Sequence, residues 1–466
     1  MTDFSALLQP DRGQPARDLH LVRKDGFEGW KAAQPQRART ALDVARFSAK
    51  PGDFAILPGD AAEDWSIAVG TPDPLGPWDL AAAVARLPQG IYRLAGGAGA
   101  GAAALGWLLA HYRFDRYRGD PDPIPTRTLL STDPARIGEV VAVAEAVALV
   151  RDLVNVPAGD LGPAELEAAV AEVASAFGLA PRVTKGDALD EGYPMIAAVG
   201  RAASRSRAPR LIELEWGDPA HPRVAIVGKG VCFDSGGLDI KPPSAMLWMK
   251  KDMGGAAHAL ALAKLVIQAR LPVRLHLLIP AVENAVSADA FRPGDILRSR
   301  KGLSIEIGNT DAEGRLILAD ALTRAAEEKP ALLIDFATLT GAARTALGPD
   351  LPALFTNDDT LSAELAASAN ATSDPLWRLP LWTPYADMLK STTADINNAG
   401  EGGMAGAITA ALFLHKFVPH AIPWAHLDTF AWRPAPLPGR PKGGEALGLR
   451  AVWSLLRNRF ADSASQ

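Results

Sequence analysis

Between residues 211 and 430 the chain alternates short apolar runs with helical patterns, and this alternation most narrows the folds open to it. Strand-like runs stand at LIELEW (211–216), VAIVG (224–228), VRLHLLIPAV (273–282), ALLIDFATL (331–339) and WAHLDTF (424–430). Between most of them apolar residues recur at helical spacing, as in AAHALALAKLVIQA (256–269) and LILADALTRAAEE (316–328). Such a succession predicts an α/β domain around a mostly parallel central sheet with helices on both faces. A weaker alternation, with FAIL (54–57) and IYRLA (91–95) among Ala-rich stretches, predicts a smaller N-terminal α/β domain.

A chain of 466 residues exceeds what one core organises, so two domains are expected. The boundary falls at Asp120-Pro121-Asp122-Pro123-Ile124-Pro125, where alternating prolines remove donors and force extended backbone. Asp133-Pro134 reads as an N-cap followed by proline at the first helical position. Ile137, Val141, Ala144, Val147 and Ala148 then recur at helical spacing, and that helix ends before Pro157. The expected division is therefore 1–120, a linker and bridging helix over 121–157, and a C-terminal domain over 158–466.

Net charge is −5 without a block of like charges, which argues against a broad nucleic-acid-binding face. A single cysteine, Cys232, excludes an intrachain disulfide. The first twenty residues lack the apolar core of a signal peptide, and no apolar run spans a bilayer. A cytoplasmic protein is expected. The spacing Gly97, Gly99, Ala102 resembles a dinucleotide fingerprint but reads as a flexible lead-in to a helix. No His is followed by Glu, so HExxH chemistry is absent, as is a GxSxG elbow. His258 and His276 read as core residues.

Three segments carry the chemistry. In VAIVGKGVCFDSGGLDIK (224–241) a strand ends at Gly228, and Lys229, Asp234 and Lys241 follow, where ligands of open α/β sheets bind. In MKKDMGGAA (249–257) Asp252 stands at a helix start. In NTDAEGRL (309–316), an extended backbone would turn Asp311, Glu313 and Arg315 to one side. Each has a plain alternative: an N-cap for Asp252, turn or first-turn acids for Asp311 and Glu313, a surface lysine for Lys229. Four carboxylates beside Lys229, Lys241 and Arg315 are less easily dismissed. Clustered carboxylates repel unless neutralised, and a pair of divalent ions about 3.5–4 Å apart does this well.

These segments, with DLVNVPAGDLGP (152–163), DFATLTGA (335–342) and AGAITAALFL (405–414), resemble the leucyl aminopeptidase family of M17 metallopeptidases. The resemblance implies a metal-dependent aminopeptidase that removes the first residue of peptides with a free α-amine. Its cofactors would be two divalent ions per subunit, Zn or Mn, bridged by a hydroxide. Lys229, Asp234, Asp252 and Glu313 would hold one ion, and Asp234, Asp311 and Glu313 the other. Lys241 would polarise the scissile carbonyl, and Arg315 would hold a bicarbonate acting as base. Met249, Thr338 and Gly341 match positions lining the side-chain pocket, and Leu339 matches one whose backbone helps hold the anion. The plain alternative for Met249 is core packing. Phe430 departs from the family's small residue and puts the preference for leucine in doubt. The resemblance further implies a homo-hexamer; the charge and hydropathy already noted point to no membrane and no nucleic acid as partner. Two competing readings are a binding or scaffold oligomer, for example a DNA binder, and a two-metal phosphoesterase.

Overall fold

A computed structural model of the chain describes residues 2–61, 63–120 and 123–461. It divides into two compact units, Met1–Ala148 with Ala435–Lys442, and Leu149–Pro434 with Gly443–Gln466. The assignment of residues 435–442 to the first unit has no counterpart in the sequence pattern.

The first unit is a sheet of β1 (Leu8–Pro10), β2 (Arg17–Val22), β3 (Phe54–Pro58), β4 (Trp65–Gly70), β5 (Gly90–Leu94) and β6 (Arg127–Ser131), in the spatial order β1-β6-β5-β2-β4-β3. The FAIL and IYRLA runs are β3 and β5. β6 lies beyond the expected boundary at 120, yet it pairs with both β1 and β5. Of the expected linker, Pro121 and Asp122 lie outside the described residues, and 123–126 carry no regular structure. The glycine run ahead of residue 103 leads into the helix Ala103–Leu109. Asp133 holds the expected N-cap position, with proline directly after it, at the start of a 3-10 turn rather than of the α-helix itself. A 3-10 turn, Pro134–Arg136, precedes the helix Ile137–Asn155, and the Asp133 carboxylate caps nothing. The Ser131 hydroxyl shapes this turn by accepting from the Asp133 N–H at 3.2 Å.

In the second unit the strands are β7 (Arg182–Thr184), β8 (Arg210–Trp216), β9 (Arg223–Gly228), β10 (Gly230–Asp234), β11 (Arg274–Asn284), β12 (Ile296–Arg298), β13 (Ser304–Glu306), β14 (Leu332–Ala337), β15 (Ala353–Thr356), β16 (Trp377–Arg378), β17 (Ile396–Asn397) and β18 (Trp424–Asp428). Their main sheet runs β16-β15-β18-β14-β9-β11-β8-β7, with β10 added beside β11, while β12, β13 and β17 form a small separate sheet. The centre β18-β14-β9-β11 is parallel, and β8 and β15 flank it antiparallel.

All six residues of β9 are buried, as a strand covered on both faces requires. On one face Ala225, Val227, Leu333 and Ala337 pack with Leu316 of the helix Glu313–Glu327 and Phe413 of the helix Gly406–His415. On the other lies the helix Gly254–Gln268, where His258 stacks on Phe336 with ring centroids 5.5 Å apart. That helix comes close because Gly255 has no side chain; a Cβ there would lie 2.2 Å from the Phe336 carbonyl oxygen. No helix among the described residues is long and apolar enough to cross a membrane.

The helix Glu313–Glu327 is anchored by Asp320, which is fully buried. Its Oδ2 accepts from Met195 N at 2.9 Å, in the first turn of the helix Pro194–Gly200, and its Oδ1 accepts from Arg300 N at 2.7 Å. Both oxygens therefore face backbone donors. Asp320→Asn turns an amide N–H toward one of them, and a loss of about 1–3 kcal/mol in folding stability is expected. Chemical denaturation measures it; an unchanged midpoint would contradict this account.

Candidate metal centre and active site

The parallel strands of the second unit end close together, and their ends carry the polar residues. Lys229 directly follows β9, where its N–H donates to the Phe336 carbonyl of β14 at 3.0 Å and its own carbonyl accepts from Ala256 N at 2.8 Å. Asp234 ends β10, Thr338 follows β14, and Asp428 ends β18. Two helices add their first turns. Asp252 lies just ahead of Gly254–Gln268, and Glu313 opens Glu313–Glu327.

The structure decides two local alternatives here. Asp252 is not an N-cap: Met253 holds that position, and Asp252 closes a 3-10 turn over Met249–Lys251. Asp311, Glu313 and Arg315 do not alternate along an extended segment, because the helix already begins at Glu313. An acid in a first helical turn is favoured by the helix dipole. Asp311 sits in the preceding turn, its N–H donating to Asn309 Oδ1 at 2.7 Å.

The side chains then converge. Lys229 Nζ lies 2.7 Å from Asp252 Oδ2, 3.0 Å from Glu313 Oε1 and 3.3 Å from the Thr338 carbonyl oxygen. Its stem passes over Gly314, where a Cβ would fall 2.5 Å from Lys229 Cε. Lys241 Nζ pairs with Asp234 Oδ2 at 2.8 Å and with Asp311 Oδ1. The other oxygen of Asp234 accepts from Asn284 Nδ2 at 2.9 Å and Gly236 N at 2.8 Å. Thr338 Oγ1 donates to Asp252 Oδ1 at 2.8 Å.

Charge is concentrated at low exposure. Asp234, Asp252 and Glu313 are each at most 2 % exposed and offer oxygens within 4.8 Å of one another. Burial, then repulsion from Asp234, pushes the Glu313 carboxyl up to about 8 and that of Asp311 up to about 6. Burial opposes the charge on Lys229, but Asp252, Glu313 and Asp234 outweigh it and hold the ammonium well above its ordinary range. Glu313 Oε2 is buried without a hydrogen-bond partner among the described residues. An anionic oxygen set with an orphaned member fits a hard or borderline divalent cation.

Every site residue expected from the sequence lines one cavity of about 400 Å³: Lys229, Asp234, Lys241, Met249, Asp252, Asp311, Glu313, Arg315, Thr338, Leu339, Gly341 and Phe430. That volume suits a small ligand. Burial lowers the Arg315 guanidinium to about 10; Nη1 donates to the Asn398 carbonyl at 2.6 Å, while Nε has no partner among the described residues. Leu339 N–H donates to Asp428 Oδ1 at 2.9 Å. Phe430 is half-buried and stacks on Trp248 with centroids 6.0 Å apart.

Sequence reasoning passed over three lining residues. Asp428 shapes the 338–341 turn by accepting from Leu339 N, Thr340 N and Thr340 Oγ1. Lys251 and Arg344 line the wall near Phe430. A charged residue at 251, one place before a candidate ligand, was the available signal. The decoys are structural. His258 bonds Gly254 O and Leu447 N, His276 bonds Glu213, and burial pushes the Cys232 thiol up out of reactive range.

The chain is similar over residues 148–453 to the cytosol aminopeptidase family, catalytic domain, and over residues 18–128 to the M17 aminopeptidase, N-terminal domain. It is 44% identical over 368 residues to a probable cytosol aminopeptidase of Syntrophotalea carbinolica, covering 75% of this chain and 73% of the relative. The crystal structure of a cytosol aminopeptidase from Coxiella burnetii superposes with a TM-score of 0.92 at 45% identity, covering 97% of this chain and 99% of the other. The bottromycin maturation enzyme BotP, solved in complex with Mn, superposes at 0.85 with 35% identity, covering 96% of this chain and 100% of the other. With both halves matched and the same fold throughout, the chain belongs to the M17 cytosol aminopeptidase family.

Proposed function

We propose that this enzyme removes the N-terminal residue from peptides with a free α-amine, at a site that holds two divalent cations. The observation that carries the reading is the buried set Asp234, Asp252 and Glu313, with Glu313 Oε2 left unpartnered beside Lys229 and Lys241. Lys229, Asp234, Asp252 and Glu313 would hold one ion, and Asp234, Asp311 and Glu313 the second. Zn or Mn suits this mixed nitrogen and oxygen set. When bound, such a pair activates water at neutral pH and polarises the scissile carbonyl.

The chain's own residues supply the rest. Lys241, held at the mouth of the cluster by Asp234 and Asp311, donates to the scissile carbonyl oxygen and stabilises the charge that develops there. Arg315, with its free Nε, holds a small anion such as bicarbonate that takes up the proton of the attacking water. Asp252 lies where a free α-amine is received, which restricts cleavage to the first bond. Met249, Thr338, Gly341 and Phe430 wall the space for the first side chain. We further propose a homo-hexamer acting in the cytoplasm; the printed name of the relatives, cytosol aminopeptidase, supports the location. A phosphoester or DNA-binding role is not favoured: the donor set for peptide hydrolysis is complete.

Stripping divalent ions with a chelator should abolish hydrolysis of a panel of aminoacyl amides, and adding back Mn or Zn should restore it. N-acetylated versions of the same peptides should remain uncut. Continued turnover in the chelated protein would exclude the metal mechanism. Asp311→Ala and Glu313→Ala should each lower kcat to below about one thousandth while circular dichroism stays native. Rates near those of the parent enzyme in either variant would remove that residue from the centre.

A further inference from the structure

We propose that the first-residue pocket selects an acidic side chain, aspartate or glutamate, through Lys251 and Arg344. The proposal rests on the aminopeptidase reading above and names the substrate class of that site.

Lys251 is 4 % exposed yet poorly paired. Its one ion pair among the described residues is a 3.5 Å contact with Asp252 Oδ1, an oxygen already held by Thr338 Oγ1 at 2.8 Å. The other Asp252 oxygen faces Lys229 at 2.7 Å. An ammonium offers three donors, so most of the hydrogen-bonding capacity of Lys251 is unused among the described residues. Arg344, on the helix Gly341–Leu347, has no carboxylate partner among the described residues. Its guanidinium carbon lies 4.8 Å from the centre of the Phe430 ring, and Lys251 Nζ lies 5.5 Å from the same centre. Both residues line the cavity with Met249, Thr338, Gly341 and Phe430.

The wall that receives the first side chain is therefore positive, and among the described residues only the long Asp252 contact answers it. Asp428, the remaining carboxylate lining the cavity, is taken by Leu339 N, Thr340 N and Thr340 Oγ1. Asp234, Asp252, Asp311 and Glu313 belong to the cation cluster. A leucine side chain pressed against this wall would strip water from a buried ammonium and return no hydrogen bond. A substrate carboxylate returns charge-assisted bonds to both cations, and the Phe430–Trp248 stack gives the aliphatic part a flat surface.

The test uses the metal-loaded, full-length enzyme and the p-nitroanilides of Glu, Asp, Leu and Met. Glu or Asp should exceed Leu in kcat/KM. Arg344→Met should reduce the Glu/Leu ratio at least tenfold, chiefly through KM, and Arg344→Lys should restore part of it. Arg344 is exposed, so its replacement leaves the core intact; Lys251→Met should move the ratio the same way. Calorimetry should show free L-glutamate binding more tightly than L-leucine, with the difference lost in Arg344→Met. Turnover of Leu ahead of Glu, or a ratio unmoved by Arg344→Met, overturns the acidic preference and leaves the aminopeptidase reading standing. No turnover of any of the four substrates overturns both.

Discussion

Carboxylates crowded into the interior must be neutralised, and in this enzyme that constraint shapes everything around the strand ends. Asp234, Asp252 and Glu313 bring their oxygens within 4.8 Å, where mutual repulsion at low dielectric is severe. Lys229 answers two of them and Lys241 the third. The ammonium of Lys229 stands among the same oxygens that would hold a cation. On the proposed reading, loading such an ion would require Lys229 to lose a proton and offer a lone pair, a change that a nearby dication promotes.

That arrangement depends on backbones approaching closely. Gly255 lets the helix that follows Asp252 press against Phe336 of β14, and Gly314 clears the path of the Lys229 stem. A methyl group at either position would meet main chain or the lysine itself within about the length of two covalent bonds. Behind the site, Asp320 ties the helix carrying Glu313 and Arg315 to the start of another. The centre is thus held by a rigid parallel sheet, with its polar groups oriented by bonds such as Asn284 to Asp234 and Thr338 to Asp252. Preorganisation of this kind lets charged groups act on a substrate without rearranging first.

The cavity has two chemical sides. One is the anionic cluster, suited to cations and to a substrate amine. The other is the wall of Lys251, Arg344 and Phe430, which is cationic and aromatic. On the proposed reading, Phe430 shapes the space for the first side chain, while Lys251 and Arg344 would set the charge that meets it. Specificity on this view follows from charge complementarity more than from volume.

Much of this was legible in one dimension. The alternating runs identified β8, β9, β11, β14 and β18 and the helices between them, since burial on both faces demands continuous apolar strands. The segments around Lys229, Asp252 and Asp311 marked residues that the fold brings to one cavity, because clustered acids among glycines have few structural uses. The sequence left the backbone path at Glu313 open between a strand and a first helical turn, since an acid looks alike in either without its neighbours; the fold decides for the helix. Asp428, Lys251 and Arg344 were missed for the same reason: each gains meaning from residues far along the chain. The amino-acid sequence by itself determined the fold class and the chemical types at the centre, both written in local pattern and spacing. Only tertiary structure decided which cations go unanswered, because partnership between charges is a matter of distance and burial, which spacing along the chain does not record.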